Sequence, residues 1–346
     1  MNLGKITHNI ETLIRWFKEK DIQITAVTKG VCGSLEIARL FSNHEIHSIG
    51  DSHIQNIIKM KKAGIDTKFL LLRSPMKHEI EDAIWNTDFC LTSEVSTIAG
   101  LNELAARYNK IYKIIVMIEL GDRREGVLPS DLDEFIRQIF TYKNIHLAGI
   151  GSNLVCLNGI KPTIEKMLFL SELTTHIQEK FSCKLDIISG GNSANYQWFK
   201  EGNDPGMINH LRIGESILLG TDPISQSKVN GLETNAFGLS TEVIESKIKP
   251  SMPEGIPTYT AFGDIPEIKD EGEMNRAILA IGLQDLDIRG CIPKDKSIRI
   301  VGATSDHMVV MSSDRLLKVG EIVQFNLTYR ALLRLMISPY IEKKYN

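Results

Sequence analysis

Residues 24–30 read ITAVTKG, a run of apolar and β-branched side chains closed by Lys29 and a glycine. A run that is apolar at nearly every position is buried on both faces, as strands of a parallel sheet are. Working outward, similar short runs recur at Ile22–Thr28, Ile46–Ile49, Thr67–Leu72, Asp88–Thr92, Lys113–Leu120, Ile145–Ser152, Ile187–Ser189 and His210–Arg212. Between them lie amphipathic stretches at Leu35–Phe41, Ile54–Ala63, Glu79–Asn86, Val95–Tyr108, Asp131–Phe140 and Thr163–Phe181. Strand and helix patterns in alternation imply parallel strands joined by crossover helices. Eight such units predict an α/β fold, a (β/α)8 TIM-like barrel.

After Thr221 the texture changes. Asn235–Ile248, Ala277–Gly282, Ser297–Val301, Met308–Met311 and Ile322–Leu327 are short β runs broken by Pro250, Pro253, Pro257, Gly255, Gly263 and Gly290. This predicts a smaller C-terminal all-β domain. The expected boundary lies near residues 222–232, giving domains of 1–225 and 226–346.

Bulk properties exclude several classes. The net charge of -3 over 346 residues gives nucleic acid or an anionic membrane no electrostatic footing. No apolar run approaches the roughly 20 residues that span a bilayer. The N-terminal MNLGKITHNIETLIRWFKEK reads as an amphipathic helix, not a signal peptide. Cys32, Cys90, Cys156, Cys183 and Cys291 are scattered and odd in number. They suggest neither a disulfide framework nor a metal site, and a cytoplasmic location is expected.

Barrel active sites gather at the C-terminal ends of the strands. Lys29 sits at such an end. Alone, it reads more readily as a solvated strand-end lysine than as a nucleophile. A nucleophilic lysine forms a Schiff base with a carbonyl cofactor. Its companions favour the nucleophile. IISGGNSAN (187–195) places Ser189, Gly190, Gly191, Asn192 and Ser193 after a late strand. HLRIGESILLG (210–220) places Arg212, then Gly214, Glu215 and Ser216, after the last one. Late strands are where barrels commonly hold phosphate, through backbone N–H groups and hydroxyls. The combination points to a phosphorylated carbonyl cofactor.

These motifs resemble the alanine racemase family of fold-type III pyridoxal-phosphate enzymes. AVTKG (26–30) matches its cofactor-lysine motif, and LGDRREGV (120–127) is similar to its arginine motif. GGNSA (190–194) and LRIGESILLG (211–220) match its phosphate and arginine motifs, and GATSDHMVV (302–310) resembles its C-terminal interface motif. IGDSHIQN (49–56), LVCLNG (154–159) and AILAIGLQDLDI (277–288) are most similar to the ornithine racemase group. The resemblance implies a racemase that interconverts L- and D-amino acids, with ornithine or another basic amino acid preferred, and a head-to-tail homodimer. Lys29 would hold pyridoxal 5'-phosphate and move the α-proton on one face. Arg212 would face the pyridine nitrogen, and Arg124 the phenolic oxygen and substrate carboxylate. Asn153 falls where a histidine is usual. Tyr340 would reach the phosphate or pack in an interface.

The family's second acid/base, a tyrosine, is absent: Leu283 stands in its place in IGLQDLD. The expected substitutes are Asp285, Asp287 and His307, with Cys32 less favoured. Glu94, Glu119 and Asp122 are available to meet a basic side chain. The rival readings are a non-enzymatic pyridoxal-phosphate carrier, against which the β domain counts, and a D-amino-acid aldolase or dehydratase, which needs a metal that no His/Cys/Asp cluster suggests. A decarboxylase on the same fold would place an acid where Arg212 stands.

Overall fold

The computed structural model describes residues 1–202, 204–265 and 268–346. It divides into two compact units, Leu3–Thr234 and Asn235–Asn346 with Met1–Asn2. The first is a closed parallel barrel of eight strands in sequence order: β1 (Gln23–Val27), β2 (Ser48–Asp51), β3 (Phe69–Leu71), β4 (Phe89–Thr92), β5 (Tyr112–Met117), β6 (Ile145–Gly151), β7 (Ile187–Asn192) and β8 (His210–Ile213). Closure follows because β1 pairs with both β2 and β8. Helices α2 (Leu35–Ser42), α3 (Ile54–Lys62), α4 (Ile80–Asn86), α5 (Val95–Arg107), α6 (Leu132–Ile139) and α7 (Ile164–Phe181) make the crossovers. The (β/α)8 barrel expected from the alternation is therefore present.

Helix α1 (Leu3–Lys18) precedes the barrel and buries Ile6, Ile10, Leu13 and Phe17, a stripe at helical spacing. On one side of the barrel interior, Leu70, Phe89, Leu91, Ile115, Met117, Ala148 and Ile187 form an apolar cluster. Strands β6 and β7 approach so closely that a Cβ on Gly149 would lie 1.8 Å from the Ile187 carbonyl oxygen. Only glycine fits there.

The division falls at Thr234/Asn235, later than the expected 225/226. The intervening segment is tied to α1. Asn9 Nδ2 donates to the Ile217 and Glu233 carbonyls at 3.0 and 2.8 Å, and Lys5 Nζ to the Thr234 carbonyl at 2.9 Å. The short helices α8 (Tyr196–Lys200) and α9 (Glu215–Leu219) were not foreseen, because five residues are too few to show a period.

A short antiparallel ribbon of β9 (Thr221–Asp222) and β10 (Ser227–Lys228) follows the barrel strands. The second unit carries a six-stranded antiparallel sheet. Its strands are β11 (Gly238–Pro250), β12 (Glu273–Leu279), β13 (Cys291–Pro293), β14 (Ile298–Ala303), β15 (Met308–Ser312) and β16 (Ile322–Leu327), ordered β13-β16-β11-β12-β15-β14. A register shift between Val243 and Glu245 lets one long strand serve two neighbours, β16 with its first half and β12 with its second. Val243, Leu279, Met308, Val310 and Phe325 centre the core. The C-terminal β domain is thus as expected, with one added helix, α10 (Tyr329–Ile337), buried through Ala331, Leu332 and Leu335.

Candidate active site

The chemistry-bearing residues of the barrel unit lie where strands end. Lys29 opens the turn after β1, Asp51 ends β2, Asn153 follows β6, Asn192 ends β7 and Arg212 lies on β8. The threonine before Lys29 is fixed: Thr28 Oγ1 donates to Asp51 Oδ2 at 2.8 Å. Asp51 is fully buried and also accepts from His53 N at 2.9 Å and Asn56 Nδ2 at 3.1 Å. Burial pushes its carboxyl above the ordinary carboxylate range, and these donors oppose that. Asp51 was missed in the sequence, although IGDSHIQN offered an acid at a strand end.

Burial likewise lowers the Lys29 pKa. Arg124 and Arg212 add to the lowering, while Cys156 and Asp51 oppose it. An amine that is neutral more of the time is more often available to attack a carbonyl or accept a proton.

Arg212 is anchored from below. It is 4% exposed, donates to Ser189 Oγ, and donates through Nη2 to the Ser152 carbonyl at 2.7 Å. Burial brings its pKa down to about 10, so it stays charged at neutral pH. Ser189 Oγ lies 2.8 Å from His210 Nδ1, and His210 Nε2 lies 2.7 Å from Thr25 Oγ1, which meets Ser48 Oγ at 2.6 Å. Arginine can only donate. Ser189 therefore accepts from it, and the string of polar contacts continues through His210 to Thr25 and Ser48. Burial holds that imidazole neutral, well below the ordinary histidine range. An unpaired hydroxyl in this chain would cost about 1–3 kcal/mol. A polar string thus balances the apolar cluster inside the barrel and orients the arginine.

The two late turns meet. Ser193 Oγ accepts from the backbone N–H of Gly214 and of Ser216, each at 3.3 Å. Here the Ser193 oxygen occupies both N–H groups; an anion replacing it as their acceptor would meet two backbone donors and, with the hydroxyl turned, a third. The turn needs Gly191, whose φ is +151° and where a Cβ would lie 2.1 Å from Asn195 Oδ1. Of the neighbouring residues, the Ser189 hydroxyl is engaged by Arg212 and His210, and the Gly190 carbonyl accepts from Ser152 Oγ at 3.1 Å and Asn195 Nδ2 at 3.1 Å.

Glu215 starts α9 and faces Lys29 electrostatically. Burial raises its pKa to about 7. The Thr221 hydroxyl at 3.4 Å and Lys29 oppose the rise, while Asp222 adds to it. A carboxyl raised on folding stabilises the native state below its ordinary 4.5, and that contribution is lost as pH climbs through 7. Glu215→Gln should therefore gain stability over the parent as pH rises from 5 to 8 in urea titrations of the cofactor-free chain. A difference independent of pH would show that the carboxyl is not displaced.

Arg124 pairs with Glu125 and, with Lys29, Arg212 and Cys156, forms one electrostatic cluster. Asn153 Oδ1 accepts from Asn192 Nδ2 at 3.1 Å and Arg212 Nη2 at 3.3 Å, leaving Nδ2 2.7 Å from Cys156 Sγ. Turned over, the amide oxygen would instead accept from Arg124 Nη1 and Nη2 at 3.2 and 3.1 Å. The loop carrying Cys156 is caged by Asp122, which accepts from the backbone N–H of Cys156, Leu157, Asn158 and Ile160. Desolvation raises the Asp122 carboxyl, but these donors hold it below its ordinary range. Asp122 therefore builds the loop and is not available to a substrate side chain. Glu94 caps α5 by accepting from Ser96 N at 3.1 Å, and Glu119 accepts from Gly121 N.

The expected second acid/base groups fare unevenly. Asp285 is buried and accepts from Ser338 Oγ at 2.6 Å. Asp287 pairs with Arg289 at 2.7 Å and Arg330 at 3.5 Å, which, with Arg289 foremost, holds its carboxyl down to about 2. A permanently ionised aspartate cannot donate a proton near neutral pH. Cys32 turns toward α3, its Sγ 3.9 Å from Asn56 Oδ1. His307 is half-exposed beside Asp306 at 3.0 Å, and Tyr340 is 79% exposed.

A strand-end lysine, a buried arginine and a donor set for an anion fit a phosphorylated carbonyl cofactor, and together with the barrel they define a pyridoxal-phosphate barrel enzyme. A model of the alanine racemase N-terminal domain matches residues 1–223. Two relatives match over nearly their whole length. The ornithine racemase of Acetoanaerobium sticklandii is 37% identical, covering 99% of this chain and 98% of that one. The lysine racemase of Thermotoga maritima is 36% identical, covering 100% and 97%. Among solved structures, the alanine racemase of Bartonella henselae with covalently bound pyridoxal phosphate superposes with a TM-score of 0.74 at 16% identity, over 100% of this chain and 98% of that one. The chain belongs to the alanine racemase family. It is an amino-acid racemase dependent on pyridoxal 5'-phosphate.

Proposed function

We propose that this racemase acts on a basic amino acid, ornithine or lysine. The observation that carries the reading is the full-length match to an ornithine and a lysine racemase. Lys29 would hold the cofactor, and its amine would take or return the α-proton on one face of the substrate. Bound pyridoxal phosphate makes that proton acidic by drawing electrons from the α-carbon. Ser193 and the N–H groups of Gly214 and Ser216 would hold the phosphate, with Asn192 and Gly191 shaping the turn. Arg212, kept charged and fixed by Ser189 and the Ser152 carbonyl, would meet the ring nitrogen and, as a cation that keeps its proton, disfavour a second proton there. Arg124 and Asn153 would serve the phenolic oxygen and the substrate carboxylate.

The working unit in this reading is a head-to-tail homodimer in the cytoplasm. Scattered cysteines support the location, and among the described residues no helix is long and apolar enough to cross a membrane. The half-exposed His307 and the exposed Tyr340 are groups a partner would receive. A monomer by light scattering at assay concentration would contradict the dimer.

The substrate is tested with a panel of L-amino acids incubated with protein and cofactor and read by chiral chromatography. D-Ornithine or D-lysine should form at least about tenfold faster than D-alanine, the discrimination a dedicated polar contact readily supplies. Alanine as the fastest substrate would contradict the reading.

A further inference from the structure

We propose that Cys156 is the second acid/base, so that both proton-transfer groups come from the barrel unit itself. The inference rests on the racemase activity above and deepens it. Racemisation needs a base on one face of the α-carbon and an acid on the other. Leu283 cannot transfer a proton, Asp287 is held ionised by two arginines, and Asp285 is tied to Ser338.

Cys156 meets the requirement by position. Lys29 follows β1 and Cys156 follows β6 in a closed ring of eight strands, so the two stand most of the way across the barrel mouth from each other. They are close enough to interact electrostatically, and Cys156 interacts in the same way with Arg124 and Arg212. The thiol is exposed and so open to a substrate at the barrel mouth. Its loop is rigid, because Asp122 gathers the backbone N–H groups of residues 156, 157, 158 and 160.

The neighbouring amides suit a group that changes protonation. Asn153 Nδ2 lies 2.7 Å from Sγ and Asn192 Nδ2 3.8 Å from it, so a thiolate is offered two N–H donors. Turned over, Asn153 gives its oxygen to Arg124, and that oxygen, at the position now 2.7 Å from Sγ, can accept from the S–H of the neutral thiol. In the reaction, the Cα–H bond breaks as the Lys29 amine takes the proton. The Cys156 S–H bond then breaks as its proton reaches the opposite face of Cα. The reverse direction exchanges the two roles, and no oxidant or reductant is consumed.

The test uses Cys156→Ala and Cys156→Ser holoenzymes in D2O, with the amino acid that the wild type racemises fastest. Racemisation should fall by at least about 100-fold, the contribution of one acid–base group. One enantiomer should still exchange its α-proton for deuterium at the wild-type rate through Lys29, and the other should not. Wild-type racemisation by the alanine variant would overturn the proposal. So would loss of exchange in both enantiomers or loss of the cofactor's absorption, since Cys156 would then be a positioning residue. A second readout needs no turnover. Iodoacetamide labelling of Cys156 in the wild type should be slowed strongly by cofactor plus substrate, with Cys183 as the internal reference. Unchanged labelling would place the thiol outside the site and overturn the assignment. If the wild type racemised nothing, the activity would fail, and labelling with cofactor alone would decide whether thiol and cofactor share the mouth.

Discussion

The Lys29→Ala protein should racemise at least about 10⁴-fold more slowly than the wild type, the upper end of what a single acid–base group supplies. The upper end is expected because one amine both holds the cofactor and moves the proton. The substitution removes a half-buried side chain that makes no hydrogen bond or ion pair among the described residues. The fold should therefore survive it, and a thermal melt of the cofactor-free variant should stay close to that of the wild type. Asp51 and Thr28 lie behind Lys29 and keep their own bond at 2.8 Å. Chiral chromatography gives the rate. Activity within tenfold of the wild type would remove Lys29 from the mechanism.

The second large effect is expected at Arg212. Arg212→Glu exchanges a fixed cation for a carboxyl at a buried position. A glutamate there can hold a proton on the ring nitrogen, strengthening the ring as an electron sink. Racemisation should fall, and formation of keto acid, the product of transamination, should rise relative to it by at least about tenfold, or ~1.4 kcal/mol in partition. The variant also loses the bond to the Ser152 carbonyl and leaves Ser189 without its donor. Stability should drop as well, by about 1–3 kcal/mol for each buried group left unpaired. The product ratio separates the two effects, because a purely structural loss would lower both reactions together. An unchanged ratio would mean that Arg212 does not face the nitrogen.

The barrel was legible because each strand is a local event. ITAVTKG shows an apolar run, a strand end and a misplaced lysine within seven residues. Arg212, Asn192 and Ser193 were visible for the same reason. What could not be read depends on contacts distant in sequence. Ser189 looks like a phosphate hydroxyl in SGGNS, yet it points under Arg212, because only the folded register sets it beside His210. Asp122 looks like a free loop carboxylate until residues 156–160 fold around it. Cys156 was in view in LVCLNG but had no neighbours there. Its place across the barrel mouth from Lys29 comes from barrel closure, and its loop includes Val155 in a left-handed conformation at φ 55° that no local signal announces. The compact unit runs on to Thr234 because the hydrogen bonds of residues 231–234 run back to the first helix, a contact that no local pattern announces.

The most direct test of the active-site assignment is chemical. Protein loaded with pyridoxal phosphate is reduced with borohydride, which makes the bond between lysine and cofactor permanent, and then digested and mapped by mass spectrometry. A single modified peptide carrying the cofactor on Lys29 is the predicted result. Recovery of the cofactor on any other lysine would contradict the assignment.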